Sequence, residues 1–329
     1  MEYVLVTGGA GYIGSHICKA LSKNDFTPVT FDNLSNGHKD FVKWGPLVVG
    51  DLRKPSDIEK IFSQFNFYSV VHVAARAYVD ESVKNPILYF ENNIQGTVNL
   101  LDTSIKNNVS SFIFSSSCAT YGEVKEIRIS ENHSQNPVNP YGFSKLAGEK
   151  IITYSALYNK FNYAILRYFN VAGSDSDKNI GELHREETHL IPRLIKAALN
   201  DETFYVYGDD YPTRDGTAIR DFLHVEDIAL AHIEAINYTK NNLKNITCNL
   251  GSENGYSVLE IVQTVKKYFP NLKIKYSARR IGDPDNLVAD SSFAKSRLGW
   301  SPIHSDLNHI IKSAIDWEVK IKEIPARFN

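Results

Sequence analysis

A doubly wound, parallel α/β sheet with a smaller, mixed C-terminal domain is the fold class that this 329-residue sequence predicts. Three observations predict it. Short apolar runs alternate with helical patterns through the first half. A glycine loop joins the first run to the first helical pattern. After Asn170 the alternation loosens into polar loops. Strands separated by helices imply right-handed βαβ units and a parallel sheet.

Strands are expected near Tyr3–Thr7, Pro28–Phe31, Leu47–Val49, Val70–Val73, Phe112–Ser115 and Ala164–Tyr168. Each is short and nearly all apolar, as a strand covered on both faces should be. Helical patterns lie between them, near Tyr12–Ser22, Ser56–Phe65, Ile87–Lys106 and Tyr141–Tyr158. Residues 173–188 are polar and read as a long loop. Helices follow near Leu190–Asn200, Val225–Tyr238, Val258–Tyr268 and Leu307–Val319, with strands near Asn245–Leu250 and Ile274–Tyr276. This gives a first domain over 1–171 and a second over 172–329. A late strand rejoining the first sheet, near 225–250, would interleave them.

Lys and Arg number 36 against 38 Asp and Glu, so the chain lacks the basic excess of a general nucleic-acid or membrane-surface binder. No apolar run reaches membrane-spanning length, and no leader pattern opens the chain. Cys18, Cys118 and Cys248 are scattered, forming neither a disulfide framework nor a CxxC metal site. A cytoplasmic location and no metal are therefore expected.

Residues 4–14 read VLVTGGAGYIG, with Gly8, Gly11 and Gly14 in GxxGxxG spacing between a strand and a helix. Glycines permit a tight turn and close approach to a pyrophosphate, and the helix N-terminus offers N–H groups and a positive dipole end. Tyr12 and Ile13 belong to this Rossmann-type turn. Asp32 follows 18 residues after Gly14, at the end of the second strand. A carboxylate there accepts from ribose hydroxyls and repels a 2′-phosphate, so NAD is expected rather than NADP. Capping the Asn33–Ser35 turn is the competing reading. Asp51 could equally reach the adenine edge or cap a turn.

Tyr141 and Lys145 are four apart and share a helix face. A tyrosine ionises near pH ~10, too high for a base at neutral pH. A nearby ammonium, with the charge that develops on a nicotinamide ring, is expected to lower it. Such a base removes a hydroxyl proton as hydride leaves the same carbon. Ser115-Ser116-Ser117 ends a strand just upstream, where ligands of parallel sheets sit. Ser117 is the candidate partner of the reacting oxygen, and at least one of the other serines is ordinary strand-end polarity.

With these residues the sequence resembles the extended short-chain dehydrogenase/reductase family and, within it, the UDP-galactose 4-epimerases. The matching runs are VLVTGGAGYIGSH, FDNLSNG, GDLR, FIFSSSCATYG, NPYGFSKL, LRYFNVAG, YGDDYPTRDGTAIRDFLHV and RRIGDPDNLVAD. The resemblance implies a homodimer packed through two long helices. It places Asn33, Leu52, Val73, Ala74, Ala75, Asn92, Ser115 and Tyr168 at the NAD site. It also places Asn170, His189, Leu190, Arg220, Arg280 and Asp283 around the nucleotide of a UDP-sugar. Forked arginine donors suit a pyrophosphate; a surface pair of Arg220 with Asp221 is the plainer reading. His189 stands where the family often has an amide.

Two departures matter. Ala77 replaces a family lysine, beside Arg76. Leu287 stands where many bacterial members have a tyrosine, and the smaller side chain would admit an N-acetyl sugar unless neighbours fill the space. The resemblance therefore implies reversible inversion at C4 of a UDP-hexose. A UDP-pentose epimerase is an alternative. A 4,6-dehydratase would need an Asp-Glu pair where Cys118 and Ala119 stand. A non-catalytic NAD sensor would not need Tyr141, Lys145 and Ser117.

Overall fold

The computed structural model describes residues 2–124, 126–280 and 284–323. In chain order the strands are β1 (Glu2–Thr7), β2 (Phe26–Asp32), β3 (Leu47–Val49), β4 (Phe67–His72), β5 (Ser111–Ser117) and β6 (Asn162–Tyr168). They continue as β7 (Asn170–Ala172), β8 (Thr203–Tyr207), β9 (Ile219–His224), β10 (Ile246–Leu250), β11 (Gly255–Ser257), β12 (Lys273–Ser277) and β13 (Asn286–Leu287).

The main sheet runs β10-β6-β5-β4-β1-β2-β3, with every pairing parallel. Strand order reverses between β1 and β4, and the crevice beyond the carboxyl ends of such strands is where ligands bind. Alternation along β1 supplies both cores. Val4 and Val6 pack with Ile17 and Ile233 on one face, and Leu5 packs with Ile58 and Leu100 on the other. The late strand is β10, seated beside β6, and the helix before it runs Val225–Asn242.

The helix expected over 87–106 runs from Pro86 to Lys106, but Phe90–Gln95 form a π turn inside it. Such widened turns recur at functional sites. A short helix, Val79–Lys84, was not anticipated.

The C-terminal part has a separate core under helices Leu190–Leu199, Val258–Lys266 and Leu307–Glu323, including Ile195, Ile261 and Ile311. There β9 pairs with β7, β11 and β13, and β12 pairs with β8. Residues 173–188 form the expected loop. No described helix is long and apolar enough to cross a membrane.

Candidate active site

One cavity of about 570 Å³ opens at the carboxyl ends of the main sheet and extends to β9 and β13. That volume lies within the range of small-molecule sites. Its walls include nearly every residue singled out in the sequence. The exceptions are Ser115, Lys145 and Arg280; Asp283 lies outside the described residues.

The glycine turn forms one end. Gly8 has φ +72°, and a Cβ there would lie 2.8 Å from the Ala74 nitrogen. A Cβ on Gly14 would lie 2.1 Å from the Gly8 carbonyl oxygen, so only glycine lets the helix start this close to the turn. Gly11 is the N-cap of helix Tyr12–Ser22, which has no side-chain cap and no acidic residue in its first turn. An uncapped helix start facing a cavity is a site for phosphate oxygens. Ile13 lines it directly, while the Tyr12 hydroxyl donates to the Gly173 carbonyl at 2.6 Å and ties the turn to the loop after β7.

Asp32 does two jobs. Its carboxylate lines the cavity, yet it also accepts from Leu34 N at 2.8 Å and Ala10 N at 3.1 Å. The capping reading is thus present alongside the cofactor position. Burial raises its pKa against those two N–H bonds. At Asp51 the turn reading has the stronger geometry. Arg53 holds its carboxylate with contacts of 2.6 and 3.0 Å and, against burial, brings its pKa to about 2. Asn33 reaches Asp51 at 3.4 Å. Leu52, Val73, Ala74, Ala75 and Asn92 complete this wall.

The three serines of β5 diverge. His232 Nδ1 lies 2.8 Å from the Ile228 carbonyl, which can only accept, so the ring proton is on Nδ1. Nε2 therefore accepts from Ser115 Oγ at 3.0 Å. Ser116 donates to Glu149, which forms a buried pair with Arg167 at 2.6 Å. Ser117 alone of the three lines the cavity; its Oγ accepts from Ala119 N at 3.2 Å.

Asn139 caps helix Pro140–Ala156 by accepting from Gly142 N at 2.8 Å, and Pro140 occupies its first turn. This start points Tyr141 into the cavity beside Ser117 and Tyr168. One turn on, Lys145 is only 5% exposed. It donates to the Ser115 carbonyl at 2.7 Å and lies 5.2 Å above the Phe114 ring centroid. Gly148 lets the helix lie this close, since a Cβ would come within 2.7 Å of Phe114.

Burial pushes the Tyr141 phenol up to about 12; the Ser117 hydroxyl opposes this and Cys118 adds to it. Burial brings Lys145 down to about 8, with Glu149 opposing. Among the chain's own groups, desolvation dominates at the phenol. Ser115 and Lys145 form a second layer behind the cavity wall.

At the far end Asn170, His189, Leu190, Arg220 and Leu287 line the cavity. Leu287 on β13 pairs in register with Arg220 on β9, so the two sit side by side. Leu287 also packs with Tyr121 and Phe169. The Arg220–Asp221 surface pair is not the role Asp221 plays. Its buried carboxylate accepts from Ser252 N at 2.8 Å and from Glu253 N and Ala289 N at 3.1 Å. Arg280 is outside the cavity lining: it is exposed and stacks 4.4 Å from the Tyr207 ring centroid. Arg76 pairs with Glu81 at 2.9 Å, while Ala77 lines the cavity.

Sequence reasoning missed Asn93, which bonds Arg76 N, Arg76 O and Ser144 Oγ and so fastens the 73–78 loop to the Tyr141 helix. It also missed Glu182 and His184 on the cavity wall. The interleaved Glu and His of 182–189 were the available signal.

The chain matches the NAD dependent epimerase/dehydratase family over residues 4–251. It is 43% identical over 324 residues to a UDP-glucose 4-epimerase of Rhizobium leguminosarum bv. trifolii, covering 97% of this chain and 98% of that protein. The UDP-glucose 4-epimerase of Brucella ovis, solved in complex with NAD, superposes with a TM-score of 0.93 at 44% identity, covering 96% of this chain and 98% of the other. The UDP-Glc/GlcNAc 4-epimerase of Campylobacter jejuni superposes with a TM-score of 0.86 at 39% identity, covering 97% and 100%. With the family match spanning most of its length, the chain belongs to the NAD dependent epimerase/dehydratase family.

Proposed function

We propose that this chain catalyses the NAD-dependent, reversible inversion of C4 in a UDP-hexose, interconverting UDP-glucose and UDP-galactose. One observation carries the reading: a single cavity holds an uncapped glycine-turn helix start, the Ser117–Tyr141 pair and Arg220. The first end fits NAD. Its helix start suits a pyrophosphate, and Asp32 stands where adenosine ribose hydroxyls would donate. When bound, NAD supplies a reversible acceptor for the hydride of the sugar carbon.

The chain's residues do the rest. Tyr141 takes the proton of the 4-hydroxyl and returns it after inversion. Ser117 hydrogen-bonds the same oxygen. Lys145, held on the Ser115 carbonyl, supplies positive charge behind the phenol. Asn170 and Arg220 hold the uridine diphosphate, leaving the flat 4-keto sugar to turn over between its two faces. Cys118 and Ala119 line the wall where a 4,6-dehydratase would place carboxylates, which favours epimerase over dehydratase.

A homodimer through two helices also fits. Val83 and Ile87 at the start of one helical face are 62% and 64% exposed, and Tyr154 and Leu157 on the Tyr141 helix and just past it are 66% and 70% exposed. Exposed apolar residues grouped on neighbouring helices mark an interface. Three free thiols suit a reducing cytoplasm.

Purified protein given UDP-galactose, with no added reductant, should form UDP-glucose. Tyr141→Phe should slow this by about 10²–10⁴-fold, the usual worth of an acid–base group. A folded Tyr141→Phe protein that turns over at the wild-type rate would overturn the assignment of the base.

A further inference from the structure

We propose that Glu182, His184, Glu187 and His189 form a binding site for one divalent transition-metal ion of the zinc class. The sequence reading expected no metal because it looked to cysteine spacing. This donor set has two imidazoles and two carboxylates, all suited to zinc. Their ligating atoms lie within 4.8 Å of one another.

The separations have the size of a metal's first shell. His184 Nδ1 lies 3.4 Å from a Glu182 oxygen and 3.4 Å from a Glu187 oxygen. His189 Nδ1 lies 3.6 Å from the other Glu187 oxygen, so an ion would take one of that carboxylate's two oxygens. Bonds of about 2.0–2.2 Å in a tetrahedron give ligand–ligand edges of about 3.3–3.6 Å. The fourth contact, His189 Nδ1 to Glu182 at 2.5 Å, is a hydrogen bond. An ion replaces the proton in it, and that edge opens by about 1 Å to tetrahedral size.

Charge points the same way. The side chains of Glu182 and Glu187 are each only 7% exposed. Two neighbouring buried carboxylates require positive charge close by. A dication supplies it and leaves both imidazoles neutral, as ligation requires.

The frame is already built. Trp317 Nε1 donates to the Glu182 carbonyl at 2.9 Å. His38, on the loop after Asp32, contacts the Leu183 carbonyl at 2.9 Å. His189 N donates to Glu187 at 2.8 Å, and the His184 ring meets the edge of Tyr78 at 5.8 Å. An ion here would lock the 182–189 loop, four of whose residues line the cavity.

The test reads binding rather than turnover, so it stands or falls apart from the epimerase assignment. Tag-free protein is dialysed against chelator and titrated with Co²⁺, watching for the visible bands of tetrahedral cobalt. One equivalent should bind, Zn²⁺ should bleach the bands, and Zn²⁺ should raise the unfolding temperature of the wild type. His184→Ala and Glu187→Gln should each weaken binding at least tenfold and abolish the thermal shift. His309→Ala is the control, because His224, Glu226 and His309 form a second cluster of possible donors. It should leave the cobalt spectrum unchanged. The proposal is overturned if less than one-tenth equivalent binds at ~100 μM metal, a concentration at which a real site stabilises measurably. It is also overturned if His309→Ala, and not the loop variants, removes the ion.

Discussion

Replacing Lys145 by Met tests how the phenol is activated. Tyr141 sits near 12 in the chain alone, because burial disfavours its anion. Working at pH 7 asks for a shift of five units, or about 7 kcal/mol at about 1.4 kcal/mol per unit. One unit charge 4–6 Å away at an effective dielectric of 20 supplies about 3–4 kcal/mol. A single cation at that range would not close the gap; two would, and the Lys145 ammonium with the cofactor's ring are the pair expected. Met keeps the buried stem and removes the charge. Turnover at pH 7 should then fall by about 10²–10³-fold, which is 3–4 kcal/mol expressed as rate. The remaining activity should climb about tenfold per pH unit, since it follows the phenolate fraction. The assay is conversion of UDP-galactose from pH 6 to 9.5, with NAD content and circular dichroism as controls. A variant whose activity falls while its pH profile stays parallel to the wild type would refute the electrostatic role.

Three further outcomes are expected. Leu287→Tyr should narrow the pocket beside Arg220 and depress turnover of UDP-N-acetylglucosamine by about ten- to a hundredfold, from an overpacking cost of ~1–3 kcal/mol. Equal losses on UDP-galactose, or no wild-type activity on the N-acetylated sugar, would remove Leu287 as the gate. Asp32→Ala should weaken the preference for NAD over NADP in a titration of stripped protein, and should also cost ~1–3 kcal/mol in urea unfolding as Leu34 N and Ala10 N lose their acceptor. An unaltered NAD preference would assign selectivity to other residues. Acidification from pH 6.5 to 5 should destabilise the fold. Burial holds His72 and His224 to about 3 and His16 and His232 to about 4, so below their ordinary value the unfolded chain takes up protons that the folded chain refuses. Burial raises Asp221 to about 6 and Glu318 to about 7, which works in the opposite sense. His189, raised to about 9, also opposes the four histidines, and the balance leaves a slope of roughly 1–3 kcal/mol per pH unit, steepest near pH 5; flat stability across that window would contradict it.

The first half was legible because its signals are local. Strands covered on both faces are nearly all apolar, the glycine spacing is imposed by a turn a Cβ would fill, and Tyr141 and Lys145 report themselves by helical spacing. The less legible elements depend on distant partners. β9 reads IRDFLH, and no periodicity marks it as a strand whose aspartate is buried. Asp221 is tolerated there because backbone N–H groups from Ser252, Glu253 and Ala289 converge on it. The contact of Arg280 with Tyr207, at the end of β8, likewise depends on a residue more than seventy positions away and leaves no local signal. The 182–189 cluster went unread because each of its acids and histidines alone is ordinary loop polarity.

The placement of Lys145 shows why the late return of the chain to the main sheet matters to chemistry. Lys145 rests on the Ser115 carbonyl, and the Ser115 hydroxyl is committed to His232 on helix Val225–Asn242. Were His232 absent, that hydroxyl would be left to the neighbouring Tyr168 phenol, and the His232 ring would leave a buried gap beside it. β10 makes a second tie. Its Asn249 accepts from the Tyr121 hydroxyl at 2.7 Å, Tyr121 accepts from Arg167 at 2.9 Å, and Arg167 holds the Glu149 that opposes the loss of charge on Lys145. Both ties come from residues more than 75 positions beyond Lys145, on the far side of the loop and strands that form the other end of the cavity. The proton-transfer side of the cavity is therefore complete only once the C-terminal part has folded and helix Val225–Asn242 and β10 have docked.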